Sequence, residues 1–327
     1  MNFRALARSA AALLTAGCLH VPPAPTGAVD YWGFTGPWDK RSDASIAEHG
    51  AALDRIISGW IALDTISFLP VQLYPDTLRQ DPITSSRTMA LITSYNGSRF
   101  HPEIVRGLGA SAQAAGITAG AIAALIDSGG YRGVVIDFEG MTPRDLDPLM
   151  TLTRVVADSV RAHGVTTVVI AVPAGDTAAY PSALLLQSAD LIMAMLYDQH
   201  WSGSAAGPIS SPDWVARNLG TRAAEVGAAR IVAAFPLYGY RWRRAAETEV
   251  ISFDDARRLT TMTNIPLIRD HASATLHAAS PEGWELWVSD RVLLDTLVRE
   301  ARQLGVNTFA LWRLGLEDPD VWSLIDH

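Results

Sequence analysis

The chain predicts an α/β fold, a (β/α)8 or TIM barrel, on two observations. From Tyr31 onward short apolar runs alternate with longer amphipathic stretches, and eight such runs can be placed. One of them, Gly133-Val134-Val135-Ile136-Asp137-Phe138-Glu139, is apolar on both faces and ends in two acids, as a parallel strand covered by helices would. Parallel strands joined through helices cross over right-handedly, and eight such units close into a barrel. With 327 residues, 49% hydrophobic and 18% charged, the chain can bury one large core. An open doubly wound sheet fits the same periodicity, but no Gly-x-Gly-x-x-Gly element or phosphate loop supports nucleotide binding.

At the N-terminus, Arg4 and Arg8 precede a short apolar segment over residues 9–16, too short for a permanent span and typical of an export signal. Leu14-Thr15-Ala16-Gly17-Cys18 follows, with the chain's one cysteine, and resembles a bacterial lipobox in which Cys18 is lipidated. Thr15 stands where leucine is commonest, so cleavage by the ordinary signal peptidase stays open. The expected organisation is a signal over 1–18, a proline-rich tether over 19–28 and a barrel over 29–327. The lone cysteine rules out a disulfide within the domain.

Strands are expected at residues 29–34, 61–68, 88–94, 133–138, 166–172, 191–196, 230–235 and 308–311. Helices are expected near 46–57, 101–108, 119–128, 143–163, 212–226 and 293–304. The helix over 143–163 carries the clearest signals: Pro143 in its first turn, Asp145 and Asp147 early, and Gly164 just past its end. Residues 243–288 break the alternation with fewer helical signals, predicting a short insertion after strand seven, with a small hairpin around Trp284-Glu285-Leu286-Trp287.

A net charge of −8 and the absence of a basic block argue against a nucleic-acid partner or a basic membrane-binding surface. Lys40 is the single lysine among 26 cationic residues, a compositional bias. His49, His101, His163, His200, His271 and His277 lack metal-ligand spacing, so no metal or other cofactor is expected. Oligomeric state is not legible.

Side chains two apart on a strand share a face, so Asp137 and Glu139 enter one small space at the strand's C-terminal end, where barrel enzymes keep their chemistry. Three other strand ends carry sugar-binding residue types. They are Met195-Leu196-Tyr197-Asp198-Gln199-His200-Trp201, Pro236-Leu237-Tyr238-Gly239-Tyr240-Arg241-Trp242 and Trp312-Arg313-Leu314-Gly315. Aromatic rings cover the C–H faces of pyranoses, while carboxylates, amides and guanidinium groups bond hydroxyls. Met195, Asp198, Gln199, Trp201, Tyr238, Arg241 and Trp312 are therefore candidate substrate contacts, with Glu139, Asp137 and Tyr197 as candidate catalytic groups. Asn96-Gly97 and Trp38-Asp39 are either further contacts or plain turns.

These motifs resemble glycoside hydrolase family 18, the chitinase-like barrels, over about residues 29–325. That family's fourth strand reads Asp-Gly-x-Asp-x-Asp-x-Glu, and Asp137 and Glu139 match its last two acids. Its Met-x-Tyr-Asp falls on Met195, Tyr197 and Asp198, and its eighth-strand Trp on Trp312. The likeness is strongest to the branch of spore-peptidoglycan hydrolases and deacetylase-fused barrels. It implies substrate-assisted, retaining hydrolysis of β-linked N-acetylglucosamine glycans, with peptidoglycan or exopolysaccharide favoured over chitin because the insertion reads as short.

Under that resemblance Glu139 is the general acid and later base, and Asp137 holds the acetamido N–H and steadies the oxazolinium ion. Tyr197 donates to the acetamido oxygen, Asp198 helps fix that group, and Trp312 is the floor. The geometry agrees, because side chains at i and i+2 are roughly 7 Å apart on one side of the bond, whereas paired carboxylates of ordinary retaining enzymes flank it. The family's Asp or Asn two before the last Asp is Val135 here, which predicts a desolvated Asp137 with a raised pKa and an upshifted pH profile, testable against Val135→Asp. Arg132 also departs from the motif, further from the chemistry. Two other classes fit the barrel: a carbohydrate-binding protein without catalysis, and a structural envelope lipoprotein.

Overall fold

The structure is a computed structural model that describes residues 27–81, 84–244 and 246–325. The export signal, Cys18 and the tether up to residue 26 lie outside the described residues.

The elements run β1 (Asp30–Phe34), α1 (Lys40–His49), β2 (Arg55–Leu63), β3 (Pro70–Gln72), β4 (Thr88–Thr93), α2 (Pro102–Gly109), α3 (Ala112–Gly129), β5 (Gly133–Asp137) and α4 (Leu146–Ala162). There follow β6 (Thr167–Pro173), α5 (Ser182–Leu185), β7 (Leu191–Met195), α6 (Pro212–Val226) and β8 (Ile231–Pro236). Strands β1, β2, β4, β5, β6, β7, β8 and β14 (Thr308–Trp312) are all parallel, and pairing of β1 with β2 closes the ring. This is the expected eight-stranded barrel. β3 is an antiparallel hairpin arm on β2, outside the ring.

Strand alternation sorts β5 into two cores. Val134 and Ile136 face outward and pack with Ile122 of α3 and Leu152 and Val156 of α4. Val135 faces inward among Trp32, Met89, Leu91, Val169 and Met193. Each such fully buried aliphatic side chain contributes about 1.5–3 kcal/mol, so a one-residue slip that exchanged the two faces would be strongly disfavoured. This register fixes Asp137 on the inner face, level with Thr93 of β4.

Three expected boundaries are corrected. No helix spans 46–57: α1 is capped by Asp39 and ends at His49, and the chain is already in β2 at Arg55. The second strand is therefore 55–63 rather than 61–68. Residues 56–63 are buried throughout, and past Leu63 the Asp64 carboxylate accepts from the backbone of Ile66 and Ser67 and turns the chain. The helix expected from 143 begins at Leu146, because Asp145 accepts from Thr142 N and Oγ1 and from Arg106 Nε at 2.7 Å, which draws 143–145 into a 3₁₀ turn.

The insertion after β8 has more structure than its sequence suggests. It contains β9 (Gly239–Arg243), β10 (Glu249–Ile251), α7 (Phe253–Thr263), β11 (Ile268–Arg269), β12 (Leu276–Ala279) and β13 (Trp284–Val288), before α8 (Arg291–Gln303). Its strands form an antiparallel sheet in the order β10-β9-β13-β12-β11. Trp284-Glu285-Leu286-Trp287 lies in β13, which forms the expected hairpin with β12 and also pairs with β9, at the centre of the sheet. The helix α7, capped by Ser252, packs on this sheet through Phe253 and Ala256 against Trp284 and Leu286. This folded unit removes the premise that the loop is too short to wall a groove.

Candidate active site

The C-terminal ends of the barrel strands surround a cavity of about 460 Å³, lined by Asp137, Glu139, Tyr197, Asp198, Tyr238 and Trp312 among others. Asp137 closes β5 and Glu139 follows two residues later, while Phe138 between them turns into the outer core. The two acids thus enter the cavity together, as their spacing requires.

Burial pushes the Asp137 pKa up, opposed by a hydrogen bond from Thr93 Oγ1 at 3.3 Å. Its Oδ1 has no hydrogen-bond partner among the described residues. Val135 beneath it supplies none, being part of the apolar interior. Glu139 is held well above the usual carboxylate range, first by burial and then by the charges of Asp137 and Asp198. Two neighbouring acids of this kind titrate as a pair, and one of them stays protonated well above the pH at which a free carboxyl ionises.

Opposite them, β7 delivers Met195 to the cavity, followed by Tyr197 and Asp198. Asp198 adopts a left-handed backbone conformation, φ 58°. Its Oδ1 accepts hydrogen bonds from the Tyr238 hydroxyl and, at 3.1 Å, from the Tyr240 hydroxyl. Burial raises the Asp198 pKa and these two donors oppose the rise. The Tyr197 phenol is pushed far upward by burial and then by Glu139, so it remains a hydrogen-bond donor at any working pH. Its ring stacks on Trp312 with centroids 6.1 Å apart and planes at 15°. Trp312 in turn meets Phe34 edge-on at 5.1 Å, which locks its indole as one wall of the cavity.

The structure does not bring three of the expected contacts to the cavity. Gln199 turns away, its Oε1 accepting from Ser211 Oγ at 2.7 Å and its N donating to Ile209 O. Trp201 is 51% exposed and covers Gly203 in its own loop. Arg241 is engaged by Glu249 across β9 and β10. His200 and Asn96 also serve their own turns, His200 against the Ala205 carbonyl and Asn96 through Ser98. Trp38 does line the cavity, whereas Asp39 caps α1 and binds Arg41 and Arg313.

Tyr240 and Arg313, which lie in the quoted strand-end motifs but were not singled out as contacts, also line the cavity, as does Trp60, which sequence reasoning missed. Tyr240 lies two residues beyond Tyr238 in an extended segment, and that spacing alone could have placed both hydroxyls together. Trp60 was hidden because the second strand was expected too late in the chain. Among the described residues, no group of three histidine, cysteine or acidic side chains could hold a metal ion.

No family model matches the chain. It is 26% identical over 251 residues, 72% of its length, to YdhD of Bacillus subtilis, a protein provisionally named a sporulation-specific glycosylase. The chain spans about 60% of the length of the curated relatives it matches. In fold it is similar to a class V chitinase from Pseudomonas fluorescens, with TM-score 0.82 and 20% identity over 91% of this chain and 98% of that one. It is similarly close to the spore cortex-lytic enzyme SleL of Bacillus cereus, with TM-score 0.80 and 18% identity over 91% of this chain and 74% of that one.

Proposed function

We propose that this chain is a retaining glycoside hydrolase of the family 18 type, acting on β-linked N-acetylglucosamine glycans by substrate-assisted catalysis. The observation that carries the reading is the placement of Asp137 and Glu139 side by side on one wall, facing Tyr197 and Asp198, with Trp312 stacked beneath Tyr197. A proton donor beside a second acid, a phenol opposite and an aromatic floor are the parts needed for a sugar whose own acetamide attacks its anomeric carbon.

Glu139, kept protonated by burial and by its acidic neighbours, gives its proton to the leaving glycosidic oxygen. The acetamido oxygen attacks the anomeric carbon as that bond breaks, and Tyr197 O–H orients it. Asp137 accepts the acetamido N–H and balances the positive oxazolinium ion. Glu139, now ionised, removes a proton from water as the water opens the ring, which returns the sugar with its configuration retained. Tyr238 and Tyr240 fix Asp198, which completes the acetamide pocket.

The substrate we favour is an envelope glycan, peptidoglycan or an exopolysaccharide. Support comes from the motif likeness to the spore-peptidoglycan branch and from the names of the relatives. The length of the insertion no longer contributes, since it folds and places Tyr240 and Val250 on the cavity wall. Such glycans lie outside the cytoplasm, in keeping with export through the N-terminal signal and anchoring at Cys18. Loss of labelled fatty acid and of membrane fractionation in Cys18→Ala tests the anchor. Turnover of a chromogenic N-acetylglucosamine oligomer by the wild type, reduced at least ~10²-fold in Glu139→Gln, tests the activity. Binding with no turnover in either protein would leave a sugar-binding barrel instead.

A further inference from the structure

The segment that carries the acid, Phe138-Glu139-Gly140-Met141, bends at Gly140, which takes φ 77°. The backbone carbonyl before the bend and the N–H after it are joined through a side chain. The Tyr180 hydroxyl stands in the gap, donating to Phe138 O at 2.9 Å and accepting from Met141 N at 3.0 Å.

Tyr180 is itself held rigidly. It is buried in the connection between β6 and α5, and Arg222 of α6 donates to its carbonyl at 2.6 Å. Arg222 is wholly buried and also bonds Pro173 O and Asp176 O, at 2.7 and 3.1 Å, and Ser182 Oγ, at 2.9 Å. Loop carbonyls solvate its charge at contact distance, with the Glu225 and Asp176 carboxylates acting on it from further off. One phenol therefore ties the bend bearing Glu139 to a clamped loop two elements away. The charges of Glu139 and Asp137 also act on this phenol, which fits its closeness to them.

We infer that Tyr180 is a positioning residue: its hydroxyl, inserted into the bend at 138–141, sets how far the Glu139 carboxyl reaches toward the leaving oxygen. This rests on the glycosidase reading above. Without the hydroxyl, Phe138 O and Met141 N close on each other, so the fold survives but the bend tightens and draws Glu139 out of line. Proton donation suffers first, because a shift of about 1 Å can cost up to ~10²-fold in rate.

The test compares kcat/KM for wild type and Tyr180→Phe on two substrates. One is an N-acetylglucosamine oligomer, and the other is an aryl glycoside of the same sugar whose leaving phenolate needs no proton. Tyr180→Phe is expected to lose about 10-fold or more on the oligomer and no more than about 2-fold on the activated glycoside, the loss falling in kcat rather than KM. Glu139→Gln should show the same dependence on leaving group more strongly, and Arg222→Lys more weakly, which supplies a second route should Tyr180→Phe fold poorly. Equal losses on both substrates, or no loss on either, overturn the inference. A wild type that cleaves neither substrate overturns instead the reading on which it rests.

Discussion

At the scale of single residues, the account turns on two buried carboxyls whose titration is raised together, Glu139 protonated as the donor and Asp137 ionised beside it. Because their folded pKa values lie above the unfolded ones, charging them opposes folding as pH rises from the ordinary carboxylate range through the raised values. Replacing Glu139 by Gln removes a buried charge along with the catalytic proton. Thermal unfolding of Glu139→Gln should therefore occur about 2 °C or more above wild type at pH 8 and nearly with it at pH 4. A stabilisation that grew toward acid pH would contradict the assignment. Val135 makes a second prediction. An asparagine there offers an amide donor to the unpartnered Asp137 Oδ1, which favours the ionised form and lowers the Asp137 pKa. The acidic limb of kcat/KM against pH should move down by about one unit in Val135→Asn, since one pKa unit is worth about 1.4 kcal/mol. Coincident profiles would show that the apolar neighbour does not set this ionisation.

Elements decide which of the candidate residues reach the cavity. Met195 and Tyr197 lie two apart at the end of the barrel strand β7, so their direction was legible from strand alternation, whereas Asp198 joins them only through its left-handed backbone. Gln199 and Trp201 lie further along a loop, where no period fixes direction and local bonds to Ser211 and Ile209 took over. Trp201→Ala should leave kcat/KM within about 2-fold of wild type, and Gln199→Ala should cost about 1 kcal/mol of stability with little kinetic effect. A large KM increase in either, read by steady-state kinetics, would return that residue to the substrate. Arg241 is drawn elsewhere for a different reason: it belongs to β9, whose partner β10 presents Glu249 across the ladder, and no single-sequence pattern reveals that pairing. Tyr238→Phe removes one of two hydroxyls from Asp198 and should raise KM by about 10-fold, roughly the worth of a hydrogen bond to a charged group. An unchanged KM would mean that Asp198 does not contact substrate.

For the whole molecule, the barrel was visible in the sequence because its strands are two-sided apolar runs that only a covered parallel sheet accommodates. Helical cover and strand order then followed from chain geometry. The second strand was misplaced because the apolar positions running from α1 into Ile56 and Ile57 were read as one helical stretch, although Gly50, which caps α1, marks where the helix stops. The insertion was underread because its sheet is built from strands of two to five residues, too short to print a period. The hydroxyl bridge from Tyr180 left no sequence trace, since it joins residues 42 and 39 positions apart.

The central claim is that the sugar's own acetamide, rather than a protein carboxylate or a water, makes the first bond to the anomeric carbon. Proton NMR of a fresh digest of an N-acetylglucosamine oligomer reads the configuration of the newly released reducing end before mutarotation, and a thiazoline mimic of the oxazoline can be added to the same assay. The account predicts that the β-anomer appears first and that the thiazoline inhibits competitively. First appearance of the α-anomer, or full activity in the presence of saturating thiazoline, would contradict it.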